Sequence, residues 1–176
     1  MTEHTVSELS EMTESGLKKL AEMLIAVVNE GASIGFLPPL SHKDALSYWS
    51  DVMNDDVVLW IVERNGETVG SIQLHLCSKP NGMHRAEIAK LMVHPSARRR
   101  GIGQLLMAEA EARAIAESRI LIVLDTRAED PSNLLYRSIG YMEAGRIPQY
   151  AMSANGELHD TVYYYKLLNQ QPKKEE

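Results

Sequence analysis

Arg98, Arg99 and Arg100 stand directly before Gly101, Ile102 and Gly103. An apolar, strand-like run ends just upstream at His94-Pro95, and a helix-like apolar pattern begins just downstream. That order makes an anion pocket. The first amides of a helix have no partner inside it, and the helix dipole favours negative charge there. Two glycines let the backbone approach a ligand closely. Guanidinium forks suit phosphate oxygens. As a plain solvated helix start, the three arginines would oppose the dipole, so a phosphorylated ligand is the better reading. Two familiar phosphate loops do not fit. A P-loop needs Gly-Lys-Ser/Thr after its glycines, and Gln104-Leu105 follows here. A dinucleotide fingerprint needs a third glycine where Leu106 stands.

The elements that must position this turn are legible on both sides of it. His4 to Leu9 reads as a short first strand. A helix from Thr13 to about Gly31 places Leu17, Leu20, Ala21, Leu24 and Val28 on one face. GASIGFLPPL is a loop, and Ser41 with Asp44 opens a second helix with Leu46, Trp49 and Met53 inward. Val57–Glu63 and Thr68–Cys77 form a hairpin around Asn65-Gly66. Arg85–Val93 is a long strand leading into the basic turn. The helix after the turn carries Ile102, Leu105, Ala108, Ala112 and Ile115 on one face. Ile120–Leu124 is an apolar strand ended by Asp125, Pro131–Ser138 a short helix stopped by Gly140, and Tyr141–Arg146 and Val162–Leu168 the last strands. Hairpins first, then alternating strand and helix, predict a mixed α/β sheet with helices on both faces.

Composition narrows the function classes. With 176 residues, 44% of them hydrophobic, the chain reads as one domain (1–176) with a real core and a solvated tail over 170–176. A net charge of −6 argues against a nucleic-acid binder and makes the basic turn local. Cys77 is the only cysteine, so no intrachain disulfide can form. The acidic start MTEHTVSELSEM lacks the apolar core of a signal peptide, and no apolar run approaches the roughly 20 residues of a bilayer span. The expectation is a cytoplasmic protein that does not bind membranes. His42, His75, His84, His94 and His159 show no paired ligand spacing, so no metal site is expected.

The order of elements resembles the GCN5-related N-acetyltransferases (GNAT). Arg98-Arg99-Arg100-Gly101-Ile102-Gly103 fits that family's Arg/Gln-x-x-Gly-x-Gly/Ala turn, and Asn133-Leu134-Leu135-Tyr136 with Gly140-Tyr141 looks like its second signature. Within the family, GASIGF at 31–36, KPNG at 79–82 and RAEIAKLMVHPSAR at 85–98 are similar to the tabtoxin-resistance acetyltransferases. The resemblance implies a mostly antiparallel, twisted sheet of six to seven strands, splayed near the coenzyme. It implies acetyl-CoA as co-substrate. The cofactor contacts carried over are Leu91, Met92, Val93, Arg98, Arg99, Arg100, Gly101, Ile102, Gly103, Gln104, Asn133 and Tyr136. Exposed strand edges in the family also allow a homodimer.

Amine acetylation needs a thioester, a deprotonated amine, donors for the oxyanion and a proton for the leaving thiolate. The resemblance makes the Met92 amide the oxyanion donor, Tyr136 the general acid and Asn133 a partner of the pantetheine amides. Read without it, Tyr136 is a core tyrosine and Asn133 a helix cap. Glu87 shares strand parity with Ala89, Leu91 and Val93, so it sits among apolar neighbours as a candidate base; an exposed ion pair with Arg85 or Lys90 is the alternative. Asp125, at a strand end, either holds the substrate ammonium or is itself the base; a turn aspartate is the plainer reading. Phe36, Asn81, Glu87, Asp125 and Tyr150 make the expected acceptor side. Cys77 reads as a small apolar strand residue, and direct transfer needs no nucleophile. The expected function is acetyl transfer from acetyl-CoA to the primary amine of a small molecule, such as an amino-acid-like toxin. The rivals are a protein or peptide N-acetyltransferase and an acyl-CoA-binding sensor without turnover.

Overall fold

The computed structural model describes residues 4–168, so the expected tail over 170–176 lies outside the described residues. The elements are β1 (Thr5–Glu8), α1 (Glu14–Asn29), α2 (His42–Ser50), β2 (Val57–Arg64), β3 (Glu67–Leu76), β4 (Arg85–Val93), α3 (Ile102–Ala116), β5 (Leu121–Arg127), α4 (Ser132–Ser138), β6 (Met142–Met152) and β7 (Leu158–Leu167). Local chemistry sets many of the ends. Thr13 caps α1 through a bond from the Gly16 amide, and Ser41 caps α2 through a bond from the Asp44 amide. Asn65 (φ 53°) and Gly66 (φ 81°) both take the left-handed conformation of a type I′ hairpin turn.

All seven strands form one sheet in the order β1-β2-β3-β4-β5-β7-β6. Only β4 and β5 run parallel; every other pair is antiparallel. Helices cover both faces. One core packs Leu106, Met107, Ala110 and Tyr136 of α3 and α4 on Trp60, Ile72, Leu74, Ile122 and Tyr164. The other packs Leu20, Leu24, Val28 and Trp49 of α1 and α2 on Leu59, Ile61 and Met92. Gly70 of β3 is the notch that seats α3: a Cβ there would lie 2.8 Å from Ile102 Cγ2.

Three expectations need correction. The buried stripe of α3 is Ile102, Leu106, Met107, Ala110 and Ala114, whereas Ala108, Ala112 and Ile115 face solvent. Apolar residues occupy nearly every side of this helix, so several stripes compete in the sequence. β5 runs on through Asp125 to Arg127, because Asp125, Thr126 and Arg127 pair with Tyr163, Val162 and Thr161. β6 continues past Arg146 to Met152; as the outermost strand it tolerates Pro148, and its register with β7 breaks between Ile147 and Ala151.

Candidate active site

Two irregularities in the sheet create the site. β4 pairs with β5 over only three residues, Arg85–Glu87 against Leu121–Val123. Beyond Glu87 the two strands part, so the edge of β4 from Ile88 to Val93 that faces β5 has no strand partner. The second irregularity is a bulge. Ala89 pairs with Gln73 and Met92 with Ser71, which leaves one extra residue in β4, and Lys90 there takes a left-handed φ of 52°.

The bulge overturns the expected parity of Glu87. Ala86 and Ile88 belong to the α3 core, so Glu87 and Ala89 point to the α1–α2 side. After the bulge the order inverts: Met92 enters the α1–α2 core, while Leu91 and Val93 pack against the α3 core. Glu87 therefore shares no apolar face with Leu91 and Val93, and it is exposed.

On the α3 side the wedge ends in the basic turn. Arg99 (φ 62°) and Gly101 (φ 79°) are both left-handed, a backbone that turns successive amides inward. Gly101 starts α3 without any side-chain cap, and the first bond into the helix is Leu105 N to Gly101 O at 2.9 Å. The amides of Ile102, Gly103 and Gln104 are thus available to an anion. A Cβ on Gly103 would meet Leu135 of α4 at 3.1 Å, so glycine keeps the mouth of the turn open. All three arginines are exposed. Arg98 also donates from Nε to the Val93 carbonyl (3.3 Å), fixing the turn to the end of β4. Ile102 is buried, anchoring the helix start in the core.

Tyr136 reaches toward the wedge from α4. Its ring is 5% exposed and tilted against Tyr141 and Tyr164. Burial pushes its phenol well above the ordinary tyrosine range, and the charge of Asp125 adds to this. Among the described residues its hydroxyl makes no hydrogen bond to another protein group. The phenol is fully protonated at neutral pH.

The Asn133 side chain is engaged within the protein. Nδ2 donates to the carbonyls of Arg127 (2.9 Å), Ala128 (3.0 Å) and Asp130 (2.8 Å), and Oδ1 accepts from Tyr164 Oη (2.8 Å). The side chain is a buried clamp on the β5–α4 loop. It is not a cap, because Pro131 precedes the helix without a capping bond.

The α1–α2 side of the wedge carries the other expected groups. Asp125 is exposed and accepts from Thr161 Oγ1 at 2.8 Å. Its cross-strand neighbour Tyr163 donates to Tyr150 Oη at 3.2 Å, which with the nearby Asp125 charge pushes the Tyr163 phenol up to about 12. Tyr150 is half exposed on β6. Phe36 packs edge-on against Tyr48 of α2. Asn81 does not join them. It is exposed on the β3–β4 turn, which Arg119 ties to the end of α3 through the carbonyls of Cys77 and Met83. That places it at the opposite end of β4 from the basic turn.

Several neighbours of the site had no role in the sequence reading. Tyr48, Gln73, His75, Ala89 and Lys90 line a cleft of about 690 Å³ on the same face as Glu87. Gln73 donates to Tyr48 Oη (2.8 Å) and its Oε1 pairs with His75 Nε2 (2.9 Å). Burial lowers the His75 pKa from the ordinary value, against the pull of Glu87, so the ring is neutral at pH 7. Arg127 clasps three loops at once: it bonds the Gly31 carbonyl (3.0 Å), Ser153 Oγ (3.0 Å) and Asp130 (2.8 Å). The polar residues in otherwise apolar strands, Gln73 and Lys90, were the available signal. No cluster of metal-ligating side chains occurs among the described residues, and no described helix is long and apolar enough to cross a membrane.

This architecture is shared. The chain is similar to a ribosomal-protein-alanine N-acetyltransferase from Brucella melitensis (22% identity, TM-score 0.78, 93% of this chain and 99% of that one). It is similar to an N-acetyltransferase from Staphylococcus aureus Mu50 (15% identity, TM-score 0.81, 96% and 100%). It is similar, too, to an aminoglycoside 6'-N-acetyltransferase solved with coenzyme A (18% identity, TM-score 0.76, 96% and 99%). At these identities the likeness establishes the fold. Residues 22–141 match the model of the acetyltransferase (GNAT) family, a span holding the wedge, the basic turn and Tyr136. The chain belongs to the acetyltransferase (GNAT) family, enzymes that take their acetyl group from acetyl-CoA.

Proposed function

We propose that this chain, acting as one acetyltransferase domain over 1–176, transfers acetyl from acetyl-CoA directly to the primary amine of a small molecule. The observation that carries this reading is the parting of β4 from β5 beyond Glu87, which opens the sheet between two faces. Asp125 leaves β5 on the α1–α2 face, and Tyr136 packs on the α3 face. A base side and an acid side then flank one opening.

Bound acetyl-CoA supplies the activated thioester. The chain's own residues do the rest. The uncapped amides of Ile102, Gly103 and Gln104, with Arg98, Arg99, Arg100 and Gly101 around them, suit a pyrophosphate. The open edge of β4 at Leu91 and Val93 offers main-chain groups to an extended arm. Met92 does not, because it sits opposite Ser71, two residues before His94, whose amide bonds the Val69 carbonyl. Its own amide therefore turns to β3, and the donor to the carbonyl oxygen falls to a neighbour rather than to Met92 as the resemblance implied. Glu87 or Asp125 takes the proton of the acceptor ammonium. Tyr136, protonated throughout the neutral range, gives its proton at the departing sulfur. The acceptor side is a cleft between α2, the segment that follows it, and strands β3 and β4, which favours a small molecule over a protein chain. The stretches at 31–36, 79–82 and 85–98 that resemble the tabtoxin-resistance acetyltransferases point to an amino-acid-like acceptor. The test is thiol release from acetyl-CoA across a panel of small amines and peptide N-termini. Turnover on small amines is the expected result; turnover on peptides alone, or none at all, refutes the reading.

A further inference from the structure

Lys90 lines the acceptor cleft together with Lys79, and a distortion of the sheet places it there. The bulge turns it under the loop between α1 and α2. Its Nζ donates to the Ile34 carbonyl at 2.6 Å and lies 5.7 Å from the Phe36 ring centroid and 6.0 Å from that of Tyr48. The loop closes tightly over it: a Cβ on Gly35 would come within 3.1 Å of Nζ. A long lysine on an exposed face carries its head into water; this one is held back beneath residues 34–36. Among the described residues no carboxylate oxygen comes within 4 Å of Nζ. Its neighbours are one neutral carbonyl and two ring faces, so at least one N–H of the ammonium is left for another acceptor. A part-buried cation without an anion is costly. The two acids of this face, Asp125 and Glu87, are near enough for Lys90 to feel their charge, yet neither closes an ion pair with it. Glu87 and Asp125 leave the sheet on the face opposite Ala86, Ile88, Ile122 and Leu124. Lys90 lies on that same face, beneath residues 34–36. A face that carries a cation and two carboxylates matches a ligand with the reverse charges.

We propose that the acceptor is a zwitterion, an amino-acid-like amine whose carboxylate docks on Lys90 while its ammonium faces Glu87 and Asp125. This rests on the small-amine reading above and narrows it. Burial lowers the Lys90 pKa and the two acids oppose the shift; an arriving carboxylate acts in the same sense as those acids and holds the ammonium charged. The ring faces of Phe36 and Tyr48 keep the cation in place by cation–π attraction.

The experiment compares L-amino acids with their methyl esters and their decarboxylated amines, as acceptors for wild type, K90Q and K90M. Glutamine keeps an N–H for the Ile34 carbonyl but removes the charge, which separates loss of the loop contact from loss of the cation. For wild type, kcat/KM is expected to be about 10- to 100-fold higher for the free acid than for ester or amine, the value of one charge-assisted hydrogen bond. In K90Q and K90M that ratio falls toward one. Thermal stabilisation of the acetyl-CoA-free protein by the preferred amino acid, and not by its ester, is the matching binding readout. If wild type accepts acid, ester and amine alike, or if the ratio survives in both variants, Lys90 is not a carboxylate site and the small-amine reading stands. If no small amine is acetylated, both fall.

Discussion

Replacing Asn133 by alanine should unfold part of the scaffold before it touches the coenzyme. The side chain is 5% exposed, and its amide nitrogen spans three carbonyls of the β5–α4 loop while its oxygen accepts from Tyr164, itself 1% exposed. Two N–H groups shared among three acceptors, plus one hydroxyl bond, amount to roughly three net hydrogen bonds at about 1 kcal/mol each. The stranded Tyr164 hydroxyl adds a desolvation cost of about 1–3 kcal/mol. The expected loss is therefore about 4–6 kcal/mol, or a fall in Tm of about 10–20 °C for a chain of this size. Asn133→Asp is the sharper variant. It keeps the acceptor for Tyr164 but sets a carboxylate against three carbonyl oxygens, and it should destabilise at least as much at neutral pH. Circular dichroism melts measure both, and calorimetry with acetyl-CoA below the transition measures binding. A variant with unchanged Tm and weakened acetyl-CoA binding would show that Asn133 serves the ligand and that the clamp is incidental.

Four further outcomes test the site. Gly103→Glu puts bulk against Leu135 and a negative charge on the phosphate turn, so acetyl-CoA affinity by calorimetry should fall at least 100-fold; an unchanged Kd would remove the turn from the coenzyme site. Tyr136→Phe should cut kcat by about 100-fold, as loss of a general acid does, with little effect on acetyl-CoA Kd; wild-type turnover would leave Tyr136 a core ring only. Glu87→Gln and Asp125→Asn should each be scored on the pH profile of kcat/KM, and the base is the one whose loss removes the acidic limb; two unaltered profiles would place the base elsewhere. His75 stays neutral in the fold because its pKa is lowered, whereas the unfolded chain takes up the proton near 6.5. Stability linked to His75 is then present above that pH and lost as pH falls through the lower folded value. His75→Asn should flatten this part of the Tm–pH curve, and a parallel curve would contradict the assignment.

The sequence was most legible where a residue's own backbone preference decides. Asn65-Gly66, the caps Thr13 and Ser41, and the run from Arg85 to Val93 were placed within a residue or two, because turn, cap and strand signals are local. The glycine turn that opens α3 was readable for the same reason. What escaped depends on partners distant in the chain. Asp125 reads as a strand end until Tyr163 pairs with it, and Asn133 reads as a cap until Tyr164 and the β5–α4 carbonyls close around it. Arg127 was invisible, since its three partners lie on three separate loops. On α3 the alanines at 108 and 112 and the leucine and methionine at 106 and 107 fit competing stripes, and only the notch at Gly70 decides between them.

The single extra residue at Lys90 accounts for how one strand serves two substrates. A straight β4 would keep Glu87, Leu91 and Val93 on one face and send Met92 to α3. The bulge reverses this: Glu87 and Ala89 face the acceptor cleft, Leu91 and Val93 close the α3 core beside the basic turn, and Lys90 is turned beneath the α1–α2 loop. The donor is then met mainly by main chain, through the open edge of β4 and the first amides of α3, which side-chain substitution leaves in place. The acceptor is met by side chains on the other face, at Glu87, Lys90, Asp125 and the tyrosines of β6 and β7. Changing the acceptor needs new side chains on one face only, while the donor geometry depends on two glycines and a bulge. It follows that substitutions at Lys90 or Tyr150 should move acceptor preference while acetyl-CoA affinity holds, and that deleting the bulge residue should damage both together.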